Sequence, residues 1–592
     1  MTDSEQFEVS GLRTSTRSVL VCNAGRECYQ KVRSKFQRRC CLRSKAAILI
    51  LIWNMIVAIG IESFLDPSYY ANYFNPVSFT IVAYVCGAFL LLFYPLAGYL
   101  ADVHWGRYAT VVNGLCFVFW SLIMVVILGG VAILGFIPIL VYFPEKLDTI
   151  QVITTVVLCL VFGSAIVFGI LLIFSSLAAF NANVIQFGLD QLHDAPTEDL
   201  ILFIHWFVWT RFVGLILSRI PMGIREQDIV WEVGPGAILL SIIPFLGVTL
   251  CVQAYKRHWF VIDAGSRNPY KLVFKVIKFA AQHKNPVQRS AFTYCEDELP
   301  SRLDLGKEKY GGPFKTEEVE NVKVFLGILR ILLTLGPIFA VEIASKEFIT
   351  SLARHMDSNY YPTYKKDLVG GDRLTLLLVV FLIPLYLCLR PFLGNYIPGI
   401  LKRVGIGMIL ILLSSLYTLL VDIIGHHITG DKGCFFFYEL IHTNDSNVTV
   451  LFGALHTSSD VLILRCCLNA VGYQLLYIGT YEFICAQSPY AMKGLLIGTF
   501  FAVKGVFQLF AVLVLLAPFT DWNLSQSFPS CGFVYYLINI VVGLTGMVAY
   551  ICVAKTYRYR QRDEPDNTYR YVEEYYAKAL EESSNYDDYE NL

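Results

Sequence analysis

"AGYLADVHWGRYATVV", residues 97–112, is the stretch on which the reading of the fold turns. It falls where two apolar runs, 77–100 and 108–135, meet, and each run is long enough to cross a bilayer. Gly98 and Gly106 permit a tight turn with close approach of the flanking helices. Asp102 is placed to accept from a helix N-terminus or to pair with Arg107. The alternative is an ordinary turn carrying a surface ion pair.

Outward from this turn the chain repeats the pattern. Twelve apolar runs are read: 46–64, 77–100, 108–135, 152–180, 200–220, 235–254, 323–345, 374–392, 404–425, 461–485, 494–518 and 532–554. In lipid every backbone polar group must be paired internally, so each run predicts a helix. Of 592 residues 56% are hydrophobic and 16% charged, and the mean hydropathy is +0.55. That excludes an ordinary soluble globule, and the balanced charge argues against a nucleic-acid partner. The expected class is an all-α membrane protein of twelve transmembrane helices.

Basic residues set the expected topology. The tail 1–45, the loop 255–322 and the tail 555–592 are rich in Lys and Arg, whereas 65–76 and 519–531 have neither. Both termini and the central loop are therefore expected in the cytoplasm, flanking six-helix bundles at 46–254 and 323–554. Residues 1–45 show no signal peptide, which leaves targeting to the first helix. Sequons at Asn444, Asn447 and Asn523 then fall in external loops, as glycosylation requires. Cys434 and Cys531 share those loops; a disulfide and two unbridged thiols are equally open readings. No cysteine spacing resembles a metal site, no cofactor is expected, and no nucleophile–base pair suggests catalysis. The last four residues, "YENL", fit a sorting-adaptor pattern and a phosphotyrosine-reading pattern, with chance as the alternative in so tyrosine-rich a tail.

Four further stretches carry a family resemblance. "NANVIQFGLDQL" (181–192) resembles the N-V-x-x-F-G-x-D-Q segment of proton-dependent oligopeptide transporters, the solute carrier family 15 type. "FIHWFVWTRFVG" (203–214) is similar to that family's fifth helix, and "YEFICAQSPYAMKG" (481–494) to its tenth. "TEEVENVKVF" (316–325) matches the start of its seventh, and the opening stretch resembles the G-x-x-x-D-x-x-G-[RK] loop of the wider major facilitator group. The resemblance implies two six-helix bundles working by alternating access, with a proton-coupled small zwitterion such as a di- or tripeptide as substrate.

By the same resemblance Glu482 meets the substrate's amino group; a structural ion pair, for instance with Lys504, is the other reading. Departures are equally informative. Near the first-helix signature, "IGIESFLDPSYY" keeps Glu62 but has Ile59 and Ser63 where the family has an acid and an Arg. Asn181 stands where the family's fourth helix has a Lys. The chain offers Arg211, Arg330, Arg465 and Lys504 instead; Arg211 and Lys504 are the candidates for the substrate carboxylate, and for Arg330 and Arg465, near helix ends, snorkelling is the alternative to a pair inside the bundle. Glu62 and Glu342 are the candidate proton carriers, since a carrier needs burial to hold the proton and a nearby cation to release it. Gly98, Asp102, Gly106, Arg107 and Asp190 form the expected conformational motif. His205 reads as a satisfied core imidazole, with a proton carrier as the alternative. Other cargoes (nitrate, an organic ion), uncoupled passage, and a non-transporting receptor or scaffold signalling through the tail remain alternatives. So do the plasma membrane and an endolysosomal membrane as location.

Overall fold

The structure is a computed structural model, and it describes residue 42 and residues 44–59, 76–131, 149–192, 195, 197–219, 260, 269–283, 301–355, 373–429, 438–442, 448–452, 459–489, 492–516 and 532–559. Glu62, Ser63, Cys434, Asn444, Asn447, Asn523, Cys531, the run 235–254 and the "YENL" terminus lie outside the described residues.

Helices dominate. They are α1 (Lys45–Val57), α2 (Pro76–Leu92), α3 (Tyr94–Leu100), α4 (Arg107–Val131), α5 (Thr149–Asp190), α6 (Thr197–Arg219), α7 (Pro269–Gln282) and α8 (Thr316–Thr334). Then follow α9 (Gly336–His355), α10 (Arg373–Leu393), α11 (Ile400–Thr429), α12 (Ile463–Tyr473), α13 (Gly479–Gln487), α14 (Lys493–Phe510) and α15 (Gly532–Thr556). Among the described residues nine helical spans are long and apolar enough to cross a membrane. Large apolar side chains such as Phe168, Phe381 and Leu544 are exposed on them, as expected of surfaces solvated by lipid.

The apolar runs are not all single helices. The second breaks at Phe93, because Pro95 occupies the first turn of α3. A π turn, Ala101–Trp105, then leads to Gly106, whose φ of 74° requires glycine before α4 begins. The tenth run divides into α12 and α13 around a second π turn, Gln474–Ile478. The seventh divides at Leu335, just before Gly336 and Pro337. An antiparallel hairpin, Tyr438–His442 with Val448–Phe452, occupies a stretch read from sequence as loop.

Two of the contacts among the described helices show how sequence-distant parts are tied together. The first is α14 on α2 and α3. A Cβ on Gly98 would lie 2.2 Å from the Gly494 carbonyl oxygen, one on Gly498 2.5 Å from the Tyr94 oxygen, and one on Gly505 2.8 Å from the Ala88 oxygen. Small residues here let the backbones touch, which is how helices gain packing energy where lipid removes the hydrophobic drive. The second contact is α6 on α10, where the Trp209 indole donates to the Val380 carbonyl at 2.9 Å and His205 stacks on Tyr386. His205 Nδ1 is satisfied by the Ile201 carbonyl at 2.8 Å. Helix α1 seats on α6 through the Asn54 amide, which donates to the Phe207 carbonyl and the Thr210 hydroxyl.

Candidate functional site

Among the described residues, the polar groups singled out from the sequence fall at four places. At the α3 end of the α3–α14 contact, Asp102 is buried. It accepts from the Leu495 backbone N–H at 3.1 Å and lies 3.6 Å from Arg107. A carboxylate set on the first turn of α14 satisfies a donor that the helix itself leaves unpaired and meets the positive end of its dipole. Arg107 turns its other nitrogen to Asp190 at the end of α5, at 2.7 Å. The five motif residues Gly98, Asp102, Gly106, Arg107 and Asp190 thus form one closure, tying α3, α4 and α5 to α14. Tyr270 of α7 joins it by donating to Asp102 at 2.8 Å.

Deeper along the same helices lies a relay of three side chains. Arg211 of α6 donates to the Asn181 side-chain oxygen Oδ1 at 3.1 Å, and the Asn181 side-chain amide nitrogen donates to the Tyr94 hydroxyl at 2.9 Å. The guanidinium therefore stands against Asn181, the position at which the resembled family carries a lysine.

A second relay is built on the other helices. Lys504 of α14 donates to the Tyr477 hydroxyl at 2.7 Å, and that hydroxyl donates to Glu342 of α9 at 3.0 Å. Lys504 is also 4.0 Å from Glu342 directly and sits over the Tyr477 ring at 5.0 Å. Tyr477 lies within the π turn of the tenth run, a local irregularity that recurs at functional positions. Aromatic rings link the two relays: Tyr94 to Phe501 at 4.6 Å, Phe501 to Phe500 at 5.4 Å, and Phe500 to Tyr477 at 6.3 Å between centroids. Tyr481 packs on Phe500 and against Phe207 of α6.

Glu482 is the fourth place. It is buried, and its Oε1 accepts from Arg403 of α11 at 2.9 Å. Its ion-pair partner is thus Arg403, not Lys504, which sequence reading had offered. Glu482 Oε2 has no hydrogen-bond partner among the described residues. Arg465 does not snorkel: it is 1% exposed, at the start of α12, whereas Arg330 is exposed.

Sequence reading singled out Arg211, Asn181, Glu342, Lys504 and Glu482, and the structure joins the first two and the next two. It missed Arg403, Tyr477, Tyr94 and Tyr270. "LKRVG" at the start of α11 looks like an ordinary basic helix edge, and a tyrosine within an apolar run carries no signal. Glu62 is outside the described residues.

Known proteins share this architecture. Residues 117–528 match the sequence model of the POT family. Solute carrier family 15 member 3 of Mus musculus is 24% identical over 164 residues, 28% of this chain, and the matched stretch spans only 27% of that relative. Among solved structures, an auto-inhibited POT family peptide transporter aligns at 16% identity with a TM-score of 0.56, covering 88% of this chain and 97% of that one. The POT family transporter PepTSo aligns at 14% with a TM-score of 0.57, covering 88% and 100%. At these identities the likeness is one of fold.

Proposed function

Since this chain belongs to the POT family, we propose that it is a proton-coupled symporter of di- and tripeptides or similar small zwitterions, working by alternating access. The observation that carries this reading is Arg211 held against Asn181 at 3.1 Å. A peptide carboxylate needs a fixed cation, and the lysine expected from the fourth helix is absent. Arg211 supplies the charge from the fifth helix to the same place, with Asn181 and Tyr94 orienting it. A planar guanidinium also binds carboxylate through two parallel hydrogen bonds, which an ammonium does not.

In this reading Glu342 carries the proton. Lys504, reached through Tyr477, is the cation that stands against it. Protonation of Glu342 weakens its hold on Tyr477 and Lys504, which frees Lys504 to reorganise as the helices rock. Glu482 meets the substrate ammonium through Oε2 while Oε1 stays on Arg403. Glu62 is a second carrier candidate. The Asp102 closure locks one end of the pathway, the end that the basic residues make cytoplasmic.

The test is uptake by purified protein in liposomes, with a dipeptide panel and an imposed pH gradient. Wild type should accumulate free dipeptides only with the gradient. Arg211→Met should abolish uptake, and Arg211→Met with Asn181→Lys should restore a substantial part of it. Gradient-independent uptake, or uptake untouched by Arg211→Met, would overturn the assignment.

A further inference from the structure

Helix α7 is not part of the relays, yet its surface is unusual. One side is sequestered: Val273, Val276 and Ala280 are buried. On the other side Phe274 is 70% exposed and Ile277 40%. Lys271, Lys275 and Lys278 are exposed beside them, as are Ala281 and Gln282. At 100° per residue Phe274, Ile277 and Ala281 fall on one stripe, and the three lysines line its edge. A charged residue beside water is ordinary; a bare phenylalanine flanked along one edge by lysines is what an anionic bilayer surface accommodates, with the ring among the acyl chains and ammonium groups at the phosphates.

The level of the helix agrees. Tyr270, one turn before Phe274, donates to Asp102 and packs its ring 5.2 Å from Tyr99. Both partners belong to the apolar span Tyr84–Trp105. Trp105 closes that span and is 58% exposed, the placement of an interfacial aromatic. The N-terminus of α7 is thus pinned where a membrane span ends.

We propose that α7 is a lipid-recognition element whose Phe274–Ile277 stripe inserts into the leaflet at that end and whose Lys271, Lys275 and Lys278 bind anionic phospholipid headgroups. The partner is a phospholipid with net negative charge. Binding occurs on the same helix that donates to the Asp102 closure.

The full chain is reconstituted into nanodiscs of phosphatidylcholine alone or with phosphatidylserine, and hydrogen exchange is followed across 270–283. Protection should rise with phosphatidylserine and fall again with salt. Native mass spectrometry should show phosphatidylserine retained over phosphatidylcholine. Lys271→Gln/Lys275→Gln/Lys278→Gln should lose roughly 100-fold in that preference, and the matching Lys→Arg triple, which keeps the charge, should retain it. Phe274→Ser should weaken protection in both lipids. Equal protection in both lipids for wild type would mean that a neutral bilayer or another segment of the chain covers the stripe. That result, or an undiminished preference in a folded glutamine triple, would overturn the proposal.

Discussion

Glu482 and Arg403 show how much one pairing changes the meaning of a residue. Their side chains are 9% and 12% exposed, so each charge depends on the other. Glu482→Gln should therefore cost about 3–5 kcal/mol, because it strands a buried guanidinium. Glu482→Gln with Arg403→Met should recover most of that, as read by thermal unfolding in detergent. The double variant then isolates the binding role. If Glu482 meets the substrate ammonium, free dipeptides should bind it roughly 10- to 100-fold more weakly than wild type, while N-acetylated dipeptides should be indifferent. Equal affinities for wild type and the double variant would reduce Glu482 to a structural acid. Its burial was legible in "YEFICAQSP", but its partner lies 79 residues away in a helix start with no distinguishing pattern.

Among the elements, the α3–α14 contact is held by close backbone approach more than by side chains. Gly98→Ala would set a Cβ 2.2 Å from the Gly494 carbonyl oxygen, and neither backbone has a flexible end to move aside. A loss of about 1–3 kcal/mol is expected, and Gly98→Leu should cost more; thermal unfolding measures both. The segment before α8 gives a pH prediction. Burial raises the Asp304 carboxyl, but hydrogen bonds from Lys307, Lys323 and Ser301 outweigh it and hold the group well below the usual carboxylate range. A depressed native value means the folded state binds protons less readily than the unfolded one. The contribution is thus complete at neutral pH and lost as pH falls below the ordinary value of 3.8. Protection against hydrogen exchange in 301–323, taken relative to the intrinsic exchange rate at each pH, should fall on acidification in wild type. In Asp304→Asn that protection should already be low at neutral pH and change little. The hinge-like features at this scale were partly readable: Gly106 was read as a turn, whereas the break before Pro95 falls inside a run read as one helix and the π turn at Gln474–Ile478 has no glycine or proline within it.

For the whole molecule, the coupled mechanism predicts a separation of exchange from accumulation. Glu342→Gln should abolish proton-driven uptake in liposomes but leave counterflow of dipeptide between loaded vesicles, because binding and rocking need no net proton movement. Loss of both would make Glu342 a structural member of its relay. The proposed topology predicts that a C-terminal tag stays hidden from antibody in intact cells and appears on permeabilisation. What the sequence determined alone was the all-helical membrane class and its family, since spanning length is a property of consecutive residues and the motifs around Asp102, Asn181 and Glu482 are contiguous. It also marked which polar residues are out of place in lipid. Only the tertiary structure decided how they pair: Arg211 with Asn181, Lys504 through Tyr477 with Glu342, Glu482 with Arg403, and Tyr270 on Asp102. Those pairings depend on the rotation of each helix about its axis, and that rotation is set by glycine contacts and π turns between segments hundreds of residues apart, where no local pattern records it.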